Sequence, residues 1–113
     1  MKVAISVATA EVNASLHSRF GRAVAFVLVN TDTNTREVLP NPAQQASGGA
    51  GVSAAEFLVK QKVDAVISQA VGPKAANVLS AAKINMYQAN SGTTVDELLE
   101  QFLQGSLELI KES

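Results

Sequence analysis

Three glycines fall within four residues at Gly48-Gly49-Ala50-Gly51, and the chain runs from them straight into Val52-Ser53-Ala54-Ala55-Glu56-Phe57-Leu58. So dense a cluster costs backbone entropy, so the fold must use unusual dihedrals or a close backbone approach there. The apolar spacing after it predicts a helix over about Val52 to Gln61, with Ala54, Phe57 and Leu58 on one face. Ser53 and Glu56 have the separation of a capping box, which sets the expected helix start. A helix start offers unpaired N–H groups and the positive end of a dipole, hence an anion site at Ser47, Gly48, Gly49 and Gly51. Tight loop-to-helix packing is the competing reading of the same glycines.

The remaining elements fall around this one. Lys2 to Val7 reads as a buried first strand, and Ala23 to Val29, apolar on both faces, as a central second. Asn30 to Thr35 is turn chemistry, Arg36 to Leu39 a short partner strand, and Pro40 and Pro42 end the hairpin. Val63 to Ile67 is a further strand. Gly72-Pro73 opens a second helix, proline being favoured at its first position. Ile84 to Tyr87 is the last strand, and Leu107 to Ile110 a short terminal packing segment. Thr94 and Glu97 form a second capping box before Val95, Leu98, Leu99, Phe102 and Leu103, which keep helical spacing. A hairpin followed by βα alternation implies an α/β fold with a mixed five-stranded sheet and about three helices. Right-handed crossovers give the order 3-2-1-4-5, with strand 2 antiparallel and a topological switch beside strand 1.

With 113 residues, one compact domain spanning 1–113 is expected. The absence of cysteine removes disulfides, thiolate nucleophiles, Cys-type zinc sites and thiolate-tied iron–sulfur clusters. A single histidine, His17, also excludes multi-histidine metal sites. With no base–orienter pair for a nucleophile, a hydrolase is disfavoured and no enzymatic turnover is expected. No run approaches the ~18 apolar residues of a membrane span, and no signal-peptide pattern opens the chain, so a cytoplasmic protein is expected. One tyrosine and four phenylalanines are too few for a stacking nucleic-acid surface.

Charge placement says more than the net charge of −1. Three segments carry no acid: Val12 to Thr31, Val38 to Ala55, and Ala65 to Val95. They hold His17, Arg19, Arg22, Lys74 and Lys83, so a positive field is expected where their loops meet. The candidate anion contacts are Arg19, Arg22 and Lys74, with backbone amides at Gly48, Gly49, Gly51, Gly72, Ser91, Gly92 and Thr93 and an apolar wall at Phe20. Arg22 could instead pair with Glu37 or Glu11, Arg19 and Lys74 could be solvated charges, Phe20 a core or loop anchor, and Ser91 and Thr93 turn and cap residues. His17 is either a surface histidine or a copper ligand. Gly49-x-Gly51-x-x-Ala54 satisfies a dinucleotide pattern, but a proline-containing loop separates it from the preceding strand, which argues against that reading.

Several pieces occur together in one order. They are Phe20-Gly21-Arg22-Ala23, Asn41-Pro42, Gly48-Gly49-Ala50-Gly51 with Ala54-Ala55-Glu56, Val63-Asp64-Ala65-Val66-Ile67, Gly72-Pro73-Lys74-Ala75 and Ser91-Gly92-Thr93. This ordered set resembles the dinitrogenase iron–molybdenum cofactor biosynthesis proteins, the NifX/NafY-like group, over nearly the whole chain. The resemblance implies a ribonuclease-H-like three-layer fold and a small carrier of metal–sulfur clusters rather than a turnover enzyme. Many members place histidine before Phe-Gly, where this chain has Arg19, and before the glycine run, where it has Gln44-Gln45-Ala46-Ser47. The cysteine-free pattern and size look most like the orange-protein branch. That implies a noncovalent, anionic molybdenum–copper sulfide cluster as cargo, with the iron–molybdenum cofactor or a precursor as the alternative. It also implies P-loop ATPases of the Mrp/MinD kind as partners. Outside the resemblance, a phosphate- or nucleotide-binding regulatory module and a ligand-free interaction domain stay open.

Overall fold

A computed structural model describes residues 1–110. Its elements are β1 (Lys2–Val7), β2 (Ala25–Asn30), β3 (Thr35–Pro40), α1 (Ala50–Lys60), β4 (Ala65–Ser68), α2 (Pro73–Ala81), β5 (Asn85–Gln88), α3 (Val95–Leu103) and β6 (Glu108–Leu109). They build one mixed sheet in the order β3-β2-β1-β4-β5-β6. β1 pairs antiparallel with β2 and parallel with β4. The order runs outward to β2 and β3 on one side of β1 and to β4, β5 and β6 on the other, so the expected topological switch does lie beside β1. The five-strand expectation needs one correction: Tyr87 and Gln88 of β5 pair antiparallel with Leu109 and Glu108 of β6. Two residues cannot display an alternating pattern, which is why the segment reads as mere packing in sequence.

Period-two alternation in β1 sorts side chains onto two cores. Ala4, with Phe26, Leu28, Val66 and Met86, faces α1 and α2; Val3, Ile5 and Val7, with Val27, Val29 and Ile67, face α3. The result is the three-layer arrangement of a ribonuclease-H-like domain. Small residues on the helices (Ala54, Ala55, Ala75 and Ala76, all buried) let α1 and α2 lie close to each other and to the sheet. At the β2–β3 turn, Asn30 Oδ1 accepts from the amides of Asp32 (2.9 Å) and Thr33 (3.3 Å), the local capping that Asn brings to turns.

α3 starts as its sequence predicts. The Thr94 hydroxyl accepts from Glu97 N, and the Glu97 carboxylate accepts from Thr94 N, closing the capping box. α1 does not. It begins at Ala50, ahead of the predicted start, and its N-cap is Gly49 at φ 67°, with no side-chain cap. The left-handed dihedral, open to glycine, turns the chain into the helix before the Ser53–Glu56 pair is reached. Ser53 is therefore a first-turn residue whose amide donates to Gly49 O at 3.0 Å.

Candidate functional site

The carboxyl ends of β1 and β4 emerge side by side, and the segment Ser18 to Arg22 crosses them. Phe20 N donates to Ala70 O at 3.2 Å, and the Phe20 ring, 2% exposed, packs at 5.4 Å from that of Phe26. This fixes the next residue against the start of α1: a Cβ on Gly21 would stand 2.6 Å from Gly51 N and 2.8 Å from Gly51 Cα. Gly21 is thus the close-approach glycine of the site, and it is backbone that it approaches. Gly51 in turn faces α2, where a Cβ on it would meet the Ala75 Cβ at 3.3 Å. Two helix N-termini and the crossing segment therefore meet at one place.

Between them lies an open hollow of about 470 Å³. It is lined by Arg19, Phe20, Gly21, Arg22, Gly49, Ala50, Gly51, Val52, Ala70, Gly72, Pro73, Lys74 and Ala75. No carboxylate is among them. The ion pairs among the described residues, Met1–Asp32 and Arg36–Asp96, leave the three cations of the hollow without an acidic partner. In α1 the first helical bond is Ser53 N to Gly49 O, so the amides of Ala50, Gly51 and Val52 lack an acceptor within the helix. In α2 the first is Ala76 N to Gly72 O at 2.9 Å, which leaves the amides of Lys74 and Ala75, Pro73 having none. Neither helix has a side-chain cap or an acid in its first turn, whereas α3 has both. Dipole, free amides and side-chain cations thus all favour a negative guest.

The structure brings together Arg19, Phe20, Arg22, Gly49, Gly51, Gly72 and Lys74 of the sequence candidates. Ser47 and Gly48 lie exposed on the approach to Gly49, outside the lining. Ser91, Gly92 and Thr93 are not part of the hollow, and their amides are already engaged. Ser91 N donates to Gln69 Oε1 (2.8 Å), Gly92 N to Leu16 O (3.1 Å) and Thr93 N to Asn90 O (3.3 Å). His17 is half-buried beside the hollow, its Nδ1 accepting from Arg19 N at 2.9 Å. Among the described residues no group of three or more His, Asp and Glu side chains is placed to hold a metal ion.

Arg22 pairs with neither Glu37 nor Glu11. Its Nη1 donates to Gln44 O (3.1 Å) and Ala46 O (2.7 Å). Sequence reading also misses Asn41, buried, whose Nδ2 donates to Gly21 O (3.1 Å) and Ala23 O (2.9 Å). Its Oδ1 accepts from Ala43 N at 3.0 Å. The one sequence signal for such a clamp is an Asn directly before a proline at a strand end.

The fold and the hollow define a small α/β domain with a cationic, carboxylate-free recess at its sheet's switch point. A family model described as "Dinitrogenase iron-molybdenum cofactor" matches residues 1–105. An uncharacterized protein of Methanocaldococcus jannaschii is 34% identical over 111 residues, which is 96% of this chain and 90% of that one. Among solved structures, the apo form of the orange protein from Desulfovibrio gigas superposes with a TM-score of 0.93 at 33% identity, covering 98% of this chain and 93% of its own. A Thermotoga structure described as a NifB candidate gives 0.82 at 30% identity, covering 99% and 98%. The chain belongs to the dinitrogenase iron–molybdenum cofactor family, and it resembles the orange protein within it.

Proposed function

We propose that this protein is a carrier of an anionic, molybdenum-containing metal–sulfide cluster, held without covalent bonds in the hollow beside β1. One observation carries the reading: two uncapped helix starts and the cations Arg19, Arg22 and Lys74 surround one recess that no carboxylate lines. A cluster that brings its own sulfides needs donors and an apolar wall rather than thiolates. Free amides of α1 and α2 and the two guanidinium groups are such donors, and Phe20, Ala50, Ala70 and Ala75 form the wall. Membership of the cofactor family and likeness to the orange protein support the same cargo class. A molybdenum–copper sulfide is the guest we favour, with an iron–molybdenum cofactor or its precursor as the other cargo of the class.

In this reading the protein binds and hands over rather than turns over, and it works in the cytoplasm with P-loop ATPases of the Mrp/MinD kind. Among the described residues no helix is long and apolar enough to cross a membrane. Reconstitution of the apoprotein with tetrathiomolybdate and copper tests the reading. Visible charge-transfer absorption should co-elute with the protein, and Arg19→Ala with Lys74→Ala should reduce it without lowering the melting temperature. Those two side chains make no hydrogen bond within the described structure, so the fold does not depend on them. A colourless protein whose thermal stability rises with a nucleotide would replace this reading with the phosphate-binding one.

A further inference from the structure

We infer that Arg22 is a positioning residue that couples occupancy of the hollow to the order of the strap formed by residues 41–49. The inference rests on the carrier reading for its guest, but not for the strap itself. The strap carries no charged side chain, and it ends at Gly49, whose carbonyl accepts the first helical bond of α1. Where the strap lies therefore decides where the free amides of Ala50, Gly51 and Val52 point.

Two turns fold the strap upon itself, Gln44 N to Asn41 O (3.3 Å) and Ala46 N to Ala43 O (3.0 Å). They leave the carbonyls of Gln44 and Ala46 to be met from outside, and one nitrogen of Arg22 meets both. Asn41 holds the strap's origin through the carbonyls of Gly21 and Ala23, the residues on either side of Arg22. The same three-residue segment thus grips the strap twice.

A guanidinium has five donors, and the strap takes two of them, both on Nη1. Nη2 and Nε remain, on a side chain that lines the hollow and has no acidic partner among the described residues. A negative guest that engages them fixes the planar group in place, and the planar group fixes the strap. By linkage the ordered strap favours the guest by the same factor. Arg19 and Lys74, exposed and without bonds to the strap, attract the guest but carry no such coupling.

Hydrogen exchange read by mass spectrometry on the full chain separates these roles. In the apoprotein, Arg22→Ala should speed exchange of the Gln44 and Ala46 amides roughly tenfold or more, the loss expected when hydrogen bonds to a charged donor go. Arg19→Ala should leave that exchange unchanged. Tetrathiomolybdate with copper should slow strap exchange in the wild type and leave it unslowed in Arg22→Lys. That variant keeps the charge but not the planar fork, and it also serves if Arg22→Ala does not fold. Wild-type exchange rates in apo Arg22→Ala would overturn the positioning role. A coloured wild-type complex with no added strap protection would overturn the coupling alone. Failure of the wild type to take up colour would overturn the carrier reading and the coupling, while the apo measurement would still decide what holds the strap.

Discussion

Replacing Gly72 by Asp should raise stability and lower retention of an anionic guest, two effects of opposite sign from one side chain. Gly72 is the N-cap of α2, at φ −63° and ψ 159°, the extended conformation that capping residues adopt. A Cβ there meets nothing within 4 Å, so the carboxylate has room to turn back on the amides of Lys74 and Ala75. Asp exceeds Gly at an N-cap by a few tenths of a kcal/mol, and a negative charge at the helix start adds about 0.3–1 kcal/mol. The sum is about 0.5–1 kcal/mol, which in a domain of this size raises the melting temperature by roughly 2–4 °C. On the guest the same carboxylate acts twice, occupying amides the guest would use and opposing its charge. A unit charge about 6 Å away at an effective dielectric constant near 20 contributes ~2–3 kcal/mol per guest charge before screening, so retention should fall at least tenfold. Thermal unfolding of the apoprotein reads the first effect, and gel filtration with absorbance of the tetrathiomolybdate–copper complex the second. A stabilised variant that retains colour like the wild type would refute the use of the α2 start in binding. A destabilised one would refute the capping geometry.

Three further changes test the framework around the site. Gly21→Ala brings a methyl to 2.6 Å from Gly51 N, inside the 3.4 Å at which ordinary contact begins, so it should cost about 1–3 kcal/mol in urea unfolding. Gly48→Ala, with nothing within 4 Å, should cost nothing, and equal losses in the two would refute the close approach. Thr94→Ala should lose about 1 kcal/mol with its capping box, while Ser53→Ala should stay within ~0.5 kcal/mol of the wild type in the same assay. Lys83→Gly should gain about 0.5–1 kcal/mol in thermal unfolding, because Lys83 follows the end of α2 at φ 62°, where a side chain is strained.

What was legible in the sequence is what depends on periodicity and charge. Val95, Leu98 and Leu99 announce α3, and Thr94 with Glu97 marks its start, because the pattern and the cap reinforce each other. The strand order followed from the hairpin at Asn30–Thr35 and the handedness of βα crossovers. The lack of acids between Val12 and Thr31 and around Gly72 foretold the field of the hollow. Backbone decisions were the hidden part. Whether α1 starts at Ser53 or at Gly49 depends on a single left-handed dihedral, and residue types alone allow both. Ser91 to Thr93 resembles another free turn, yet its amides are consumed by Gln69, Leu16 and Asn90, and the first two lie 22 and 76 positions away, where no local pattern names them. Arg22 was legible as a cation but not as a clamp, since its acceptors are main-chain carbonyls and any residue supplies those.

The distribution of caps among the three helices follows the same division of labour. An N-cap side chain is worth about 0.5–2 kcal/mol, and α3 takes that stabilisation, with Asp96 and Glu97 in its first turn as well. α3 covers the sheet face opposite α1 and α2, and neither Asp96 nor Glu97 lines the hollow. α2 could carry the same devices, since its N-cap Gly72 is extended and has space for a side chain, whereas the α1 N-cap, Gly49, holds a left-handed dihedral that a capping side chain strains; both helices begin with glycine and no acid. In their place the site is stiffened by contacts that add no negative charge. These are the Phe20 ring in the core, the Gly21–Gly51 approach, and the neutral amide of Asn41 with the guanidinium of Arg22 on carbonyls. Rigidity at this end of the molecule is thus obtained without carboxylates, which is the condition an anion site imposes and a purely structural helix pair does not.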